Sequence, residues 1–432
     1  MSRALGMLAA LLLLGLAFVA GRMTAPAAEF RPGQLAGDAA LEQAWDEFLL
    51  SQQAALDLLR SSDFFEDDQE RAEAYRGILY TLVGAIKTGA LLNPDQPRFM
   101  PVLDWTSKGG LDNPDDNYYL ALLRDDATYR VRGNRGSSAD LVFQLLAGQA
   151  GVRGAESGDN ISVLYGSDIT TDTDGNFEII VSRKQPAKGV NWLPSAAGAE
   201  SLLVRFTHNN WLQEDVGALQ IERIGAEAEQ SPPLTPMRMA LALQNASASV
   251  FDRTATWLKS AEQIWRRVPR NSISAVRPSA DGLVGQYAAL GSWELDNDDA
   301  LILSTAASDA IYQGLALGNL WFASLDYENR SSSLNLDQLQ CSGDGRCYAV
   351  VSHRDPGFTN WLDTEGHRRG LIMMRWQGLA EDLPADQQPA AQLVPFAELA
   401  EHLPADMLTH SPRQRTEQIR QRRAGAQSRF SN

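Results

Sequence analysis

One stretch of this sequence occurs twice, and that constrains the fold more than any other feature. Asp174-Gly175-Asn-Phe-Glu-Ile-Ile-Val181-Ser182-Arg-Lys-Gln-Pro186 aligns without gaps on Asp344-Gly345-Arg-Cys-Tyr-Ala-Val-Val351-Ser352-His-Arg-Asp-Pro356, a shift of 344 − 174 = 170 positions with five of thirteen residues identical. After an insertion of one residue, Asn191-Trp192-Leu193 meets Asn360-Trp361-Leu362, and Arg205-Phe206 then meets Arg375-Trp376 at the original shift. Tryptophan is rare, so Asn-Trp-Leu recurring in register argues for copying rather than coincidence. A fainter match at a shift of 183 sets Asp115-Asp116, Asp126-Ala127 and Tyr129 on Asp298-Asp299, Asp309-Ala310 and Tyr312. Each copy enters a β-prone run through an Asp-Gly turn (Phe177 to Ser182, Tyr348 to Ser352) and leaves it through a proline-containing loop. The next strands follow at Leu202 to Phe206 and Leu371 to Trp376. The fold class is therefore α+β, mainly β: two tandem-duplicated β-sandwich or jelly-roll-like lobes with an N-terminal helical hairpin and a helical connector.

Helical spacing is confined to the ends and the join. Ala39 to Ser61 and Glu70 to Leu92 carry apolar residues every three or four positions and make the hairpin. Ser231-Pro232-Pro233 breaks the chain before a third amphipathic stretch, Met237 to Arg267. Pro412 to Phe430 reads as a helix holding six arginines, a basic tail on an acidic body, with its arginines solvated or meeting acidic patches of the same protein. The division that follows is 1–28 signal peptide or short anchor, 29–100 helical region, 101–230 first β lobe, 231–275 connector, 276–400 second β lobe and 401–432 basic tail.

Arg3, the apolar run Leu5 to Ala20 and the small residues Ala25-Pro26-Ala27 have the layout of a secretory signal. The run is 16 residues, short of the roughly 20 that span a bilayer, so cleavage is the first reading and a membrane anchor the second. The body is expected outside the cytoplasm, in the periplasm or cell envelope. There Cys341 and Cys347, flanking a Gly-rich turn, are placed to form a local disulfide. A net charge of 38 − 54 = −16 repels phosphate backbones, so nucleic acid is not an expected partner. Five histidines without a close pair and no phosphate-binding glycine loop give no basis for a metal or a cofactor, and oligomeric state is left open. Asp168 to Gly175 lacks the ligand spacing of a calcium loop and reads as a turn.

The densest set of polar and aromatic side chains is Asp355-Pro-Gly-Phe-Thr-Asn-Trp-Leu-Asp-Thr-Glu-Gly-His367, in a loop between expected strands. Asp363 four residues before His367 could hold the imidazole as a general base, with Asp355 nearby; no G-x-S-x-G elbow supplies a nucleophile. The residues shared by both copies are Trp192 and Trp361, Asn191 and Asn360, Arg205 and Arg375. As a ligand set, the rings would stack on a sugar or apolar ring while Asn and Arg orient it. As a structural set, the tryptophans anchor cores, the asparagines cap loops and the arginines brace the copies.

The strings Asp112-Asn-Pro-Asp-Asp-Asn-Tyr118, Tyr129-Arg-Val-Arg-Gly133, Gly189-Val-Asn-Trp-Leu193, Ile221-Glu-Arg223, Ser333-Leu-Asn335 and Asp355 to Thr364 resemble bacterial proteins carrying the domain of unknown function numbered 1214, a likeness spread over most of residues 40 to 425. It implies a β-rich bacterial protein and supplies no reaction, substrate or catalytic residue. The functional expectation is an exported protein that binds a small or oligomeric ligand, sugar-like or amphipathic, near the Trp361 to His367 loop or the lobe junction. A hydrolase or lyase using Asp363 and His367 is the alternative, and an envelope assembly or scaffold protein is the third reading.

Overall fold

The computed structural model describes residues 37–148, 158–279, 282–379 and 381–430, so the run Leu5 to Ala20 lies outside the described residues. Helix α1 spans Gly37–Arg60, α2 spans Asp68–Ala85 and continues as a π-helical turn Ile86–Leu91, and α3 spans Pro236–Arg267. Asp67 caps α2 by accepting from the Glu70 N–H, and Thr235 caps α3 by accepting from the Arg238 N–H, with Pro236 at the first turn. Buried alanines line both α1 (Ala40, Ala44, Ala55) and α3 (Ala240, Ala246, Ala261), which lets the two backbones approach closely. Ser247 Oγ donates to the Glu47 carbonyl and Ser62 Oγ to the Glu262 carboxylate, so the connector runs alongside α1 and completes a bundle with the hairpin. The bundle sits on the second β region. Trp321 Nε1 donates to the Glu70 carbonyl (2.8 Å), and the Glu70 carboxylate takes the buried Arg369 guanidinium.

The first β region comprises β1 (Met100–Val102), β2 (Asp116–Leu122), β3 (Tyr129–Asn134), β4 (Asp140–Ala147), β5 (Asp159–Tyr165), β6 (Asn176–Ser182), β7 (Asn191–Pro194), β8 (Ser201–Thr207) and β9 (Ala218–Arg223). Its sheets are ordered β1-β2-β8-β4-β5 and β7-β6-β3-β9. Phe143, Leu202, Val204 and Phe206 of the first sheet meet Val131, Phe177, Ile179 and Val181 of the second in one core, so the sheets are stacked face to face.

The second region comprises β10 (Ser272–Ile273), β11 (Arg277–Pro278), β12 (Gln286–Glu294), β13 (Asp299–Ala306), β14 (Tyr312–Gly318), β15 (Ser333–Asn335), β16 (Arg346–Ser352), β17 (Trp361–Asp363), β18 (Arg369–Gln377) and β19 (Ala390–Pro395). Its sheets are ordered β10-β12-β18-β14-β15, with β11 on β12, and β17-β16-β13-β19. Trp293, Leu315, Ile372 and Trp376 face Leu301, Leu303, Ala349 and Val351 across a second core. The chain is α+β and mainly β. Position by position the sheet orders coincide, which corrects the upstream alignment: Tyr129 opens the third strand of its lobe, while Tyr312 opens the strand equivalent to β4. Two Asp-Ala-x-Tyr patterns at similar spacing fell one strand out of step. The Cys341–Cys347 disulfide closes the turn before β16, and Asp172 takes the N–H groups of Asp174 and Asn176 to form the turn before β6.

The last helix, α4 (Pro412–Phe430), differs from a solvated basic tail. Arg415, Arg422 and Arg429 recur every seven residues on one face and are all buried. Arg415 pairs with Asp355 and donates to the Phe358 and Thr359 carbonyls. Arg422 donates to the Tyr327 and Arg330 carbonyls and to Ser333 Oγ, and Arg429 donates to the Pro114 carbonyl. Arg415 lies over Trp361, and both other guanidiniums lie over Trp211. The helix has almost no apolar face, so planar cations seated on carbonyls and indoles dock it against both lobes. Composition alone marks such a helix as exposed; the seven-residue spacing is the signal that it is not.

Candidate functional site

The loop from Asp355 to His367 is ordered by its own hydrogen bonds. Asn360 is fully buried: its Nδ2 donates to the carbonyls of Gln340 (2.7 Å) and Tyr348 (2.8 Å), and its Oδ1 accepts from the Gln340 N–H (2.9 Å). Asn191 does the same with Thr170 and Glu178, all three contacts at 2.9 Å. Trp361 Nε1 donates to the Ser352 carbonyl (3.2 Å) and Trp192 Nε1 to the Ser182 carbonyl (3.1 Å). The four shared side chains thus spend their polar groups on their own backbone.

Asp363 accepts from Arg330 (2.8 Å) and from the Glu365 N–H (2.8 Å), while His367 Nε2 faces the Glu73 carboxylate at 3.8 Å and has no hydrogen-bond partner. The structure therefore joins Asp363 to Arg330, not to His367. Burial holds the His367 imidazole below its ordinary pKa. Asp355 is taken by Arg415. Glu365, which the sequence did not single out, sits in the left-handed backbone region (φ 57°), and burial pushes its carboxyl up to about 7.

Arg205 and Arg375 come together elsewhere. In β8 the residues Leu202, Val204 and Phe206 point into the first core, and in β18 Ile372, Met374 and Trp376 point into the second. The period of two turns Arg205, Thr207, Arg375 and Gln377 to the opposite faces. These backs meet: Thr207 Oγ1 donates to Gln377 Oε1 (3.3 Å), and Gln144 Nε2 donates to the Gly282 carbonyl (2.6 Å). Between them lies Asp116, 3 % exposed. Burial raises its pKa against the opposing hydrogen bonds of Thr207 and Tyr118 and the charges of Arg205 and Arg375. Arg205 donates to Gln144 Oε1 and lies over the Tyr118 ring, with burial lowering its pKa; Arg375 donates to the Leu111 carbonyl.

Next to this group Asp115 accepts from Trp211 Nε1 (2.6 Å), Asn335 Nδ2 (2.9 Å) and the Tyr312 hydroxyl (2.6 Å). Gly314 is required there, because a Cβ would collide with the Tyr312 hydroxyl and come within 3.3 Å of Asp115. Two buried guanidiniums thus face Asp116, with the buried Asp115 carboxylate alongside. Around them the Asp116 Oδ1, Asn113 Nδ2 and Gln377 Nε2 atoms are buried without a hydrogen-bond partner. Of the residues in this seam, sequence reading singled out the two arginines. It missed Asp116, Tyr118, Thr207, Gln144 and Gln377, although Asp116 and Tyr118 stand in the polar run from Asp112 to Tyr118.

The fold has a relative among solved structures. A crystal structure of an uncharacterized protein from Burkholderia cenocepacia is 27% identical, with a TM-score of 0.77 over 84% of this chain and 99% of that one. A second, from Vibrio parahaemolyticus, is 11% identical with a TM-score of 0.43 over 83% of this chain and 100% of that one. No curated protein matches the chain. Residues 121–210, which take in β3 to β8, match the family described as Protein of unknown function (DUF1214), and the chain carries that family's domain there.

Proposed function

We propose that this is an exported binding protein that holds a small carboxylate or comparable oxyanion between its two lobes, with Arg205 and Arg375 as the principal ligands. The observation that carries the reading is the convergence of two buried guanidiniums, Arg205 and Arg375, on Asp116, a carboxylate whose ionisation burial opposes. Guanidiniums held in a dry seam are costly to desolvate, and a ligand carboxylate offers the bidentate acceptor that their geometry fits. The unpartnered Asn113 and Gln377 amides are donors, which also suits an acceptor-rich guest. Export rests on the Leu5 to Ala20 run and on the Cys341–Cys347 disulfide, a bond that persists in oxidising compartments. We further infer that the lobes are copies of one ancestral unit, supported by their common strand order and by the equal bonding of Asn191 with Asn360 and of Trp192 with Trp361. A hydrolase or lyase built on Asp363 and His367 has less support, since Asp363 is engaged by Arg330.

The test is thermal unfolding of the purified protein titrated with acetate, malonate and phosphate against chloride at equal ionic strength. Mass action gives a concentration-dependent rise in Tm with an acid that binds. Arg375→Gln and Arg205→Gln should lose that rise. No rise with any of the three acids would assign the arginines to bracing the lobes, the scaffold reading.

A further inference from the structure

A cavity of about 90 Å³ opens at the edge of the first lobe, between β1, β2 and the end of α4. Its walls are aromatic: Trp105, Tyr118, Tyr119 and, from the end of α4, Phe430. Trp105 is 58 % exposed, an unusual position for the largest apolar side chain, and it lies two residues after Leu103, which sits in the left-handed region at φ 51°. Two polar side chains reach the cavity. Asn117, 2 % exposed, donates through Nδ2 to the Arg429 carbonyl (3.0 Å), while its Oδ1 is buried with no partner. Asp104 is held by Lys87 (2.6 Å) and by Thr106 and Ser107, so its charge is already balanced.

What the cavity offers a guest is therefore stacking faces and a free acceptor, with no uncompensated charge. An anion finds no cationic side chain among the lining residues, and a cation meets Lys87 beside the one lining carboxylate, Asp104. We propose that this cavity binds a neutral hydroxyl-bearing ring, a sugar or cyclitol, which lays its C–H face on Trp105 and donates a hydroxyl hydrogen to Asn117 Oδ1. The room equals about three water molecules of liquid volume, enough for the edge of one ring while the rest lies over the exposed indole. The site adjoins the seam through Tyr118, whose ring lines the cavity and carries Arg205, but its guest is uncharged.

Saturation-transfer NMR and tryptophan fluorescence with methyl α-glucoside, N-acetylglucosamine and myo-inositol test it on the full chain. At least one of the three should receive saturation at its ring protons and quench emission. Trp105→Ala, a change at an exposed position, should weaken that binding about tenfold or more with the circular dichroism spectrum unchanged. Asn117→Leu removes the acceptor, and its loss of binding counts if the thermal transition is kept. Absence of transfer to all three compounds, or transfer that Trp105→Ala leaves intact, overturns the proposal.

Discussion

The tryptophan loops of the two lobes carry the same hydrogen bonds but lie in different surroundings. Asn191 and Trp192 are half-buried, whereas Asn360 is wholly buried and Trp361 nearly so beneath Arg415 of α4. The wiring within each loop is local, made between residues close in sequence or on paired strands. The covering comes from α4, more than fifty residues downstream, through Arg415. One local motif therefore serves as a surface turn in one place and as a docking platform in the other. The cost of breaking it should follow burial rather than bond count.

That contrast can be broken in order of expected effect. Asn360→Ala leaves two carbonyls and an N–H unpaired in a dry site and should cost about 3 kcal/mol in urea unfolding, against about 1 kcal/mol for Asn191→Ala; equal costs would mean that burial does not govern the loops. Arg415→Ala removes the cover from Trp361 together with the Asp355 pair, and about 2 kcal/mol should be lost. Acrylamide should then quench Trp361 as readily as Trp192. Trp361→Phe deletes only the indole N–H bond and part of the ring, for about 1 kcal/mol, measured against Trp192→Phe.

The lobes should also differ in the sign of one pH effect. His208, in the first lobe, is buried with its pKa lowered to about 3, mainly by desolvation and secondarily by Arg429. Its unfolded form takes up a proton below about 6.5 and the folded form does not, so stability falls as pH drops from 6.5 towards 3. Glu365, in the second lobe, is raised to about 7. Its folded form keeps a proton that the unfolded chain releases near 4.5, so its contribution is full below 4.5 and disappears as pH rises through 7. Glu365→Gln should flatten the decline between 4.5 and 7, with a gain of about 3 °C in Tm at pH 8. His208→Leu should flatten the acid side instead. A Glu365→Gln curve parallel to wild type would place that carboxyl at an ordinary pKa.

Much of this was legible in the sequence. The helices at Gly37–Arg60, Pro236–Arg267 and Pro412–Phe430 follow the apolar spacing or the proline boundaries within a residue or two. The strands around Asn176–Ser182 and Arg346–Ser352 follow from their Asp-Gly turns. The repeat at 170 residues falls on strands of equal place in the sheet order. What stayed hidden depends on contacts distant in sequence. Arg330 takes the carboxylate that Asp363 seemed to hold ready for His367, and its position reveals nothing of this. Asp116 becomes singular only because β8 and β18 turn their backs to each other. The three buried arginines of α4 read as solvent-facing because a guanidinium seated on carbonyls leaves no hydrophobic trace.

The heptad of buried arginines has a consequence for folding. Pro412 to Phe430 has almost no apolar stripe of its own, so it has no incentive to coil until Tyr327, Ser333, Pro114 and Trp211 have been assembled by both lobes. The helix thus acts as a latch that closes only on a correctly assembled body. A chain stalled in misassembly would present it as a protease-sensitive flag.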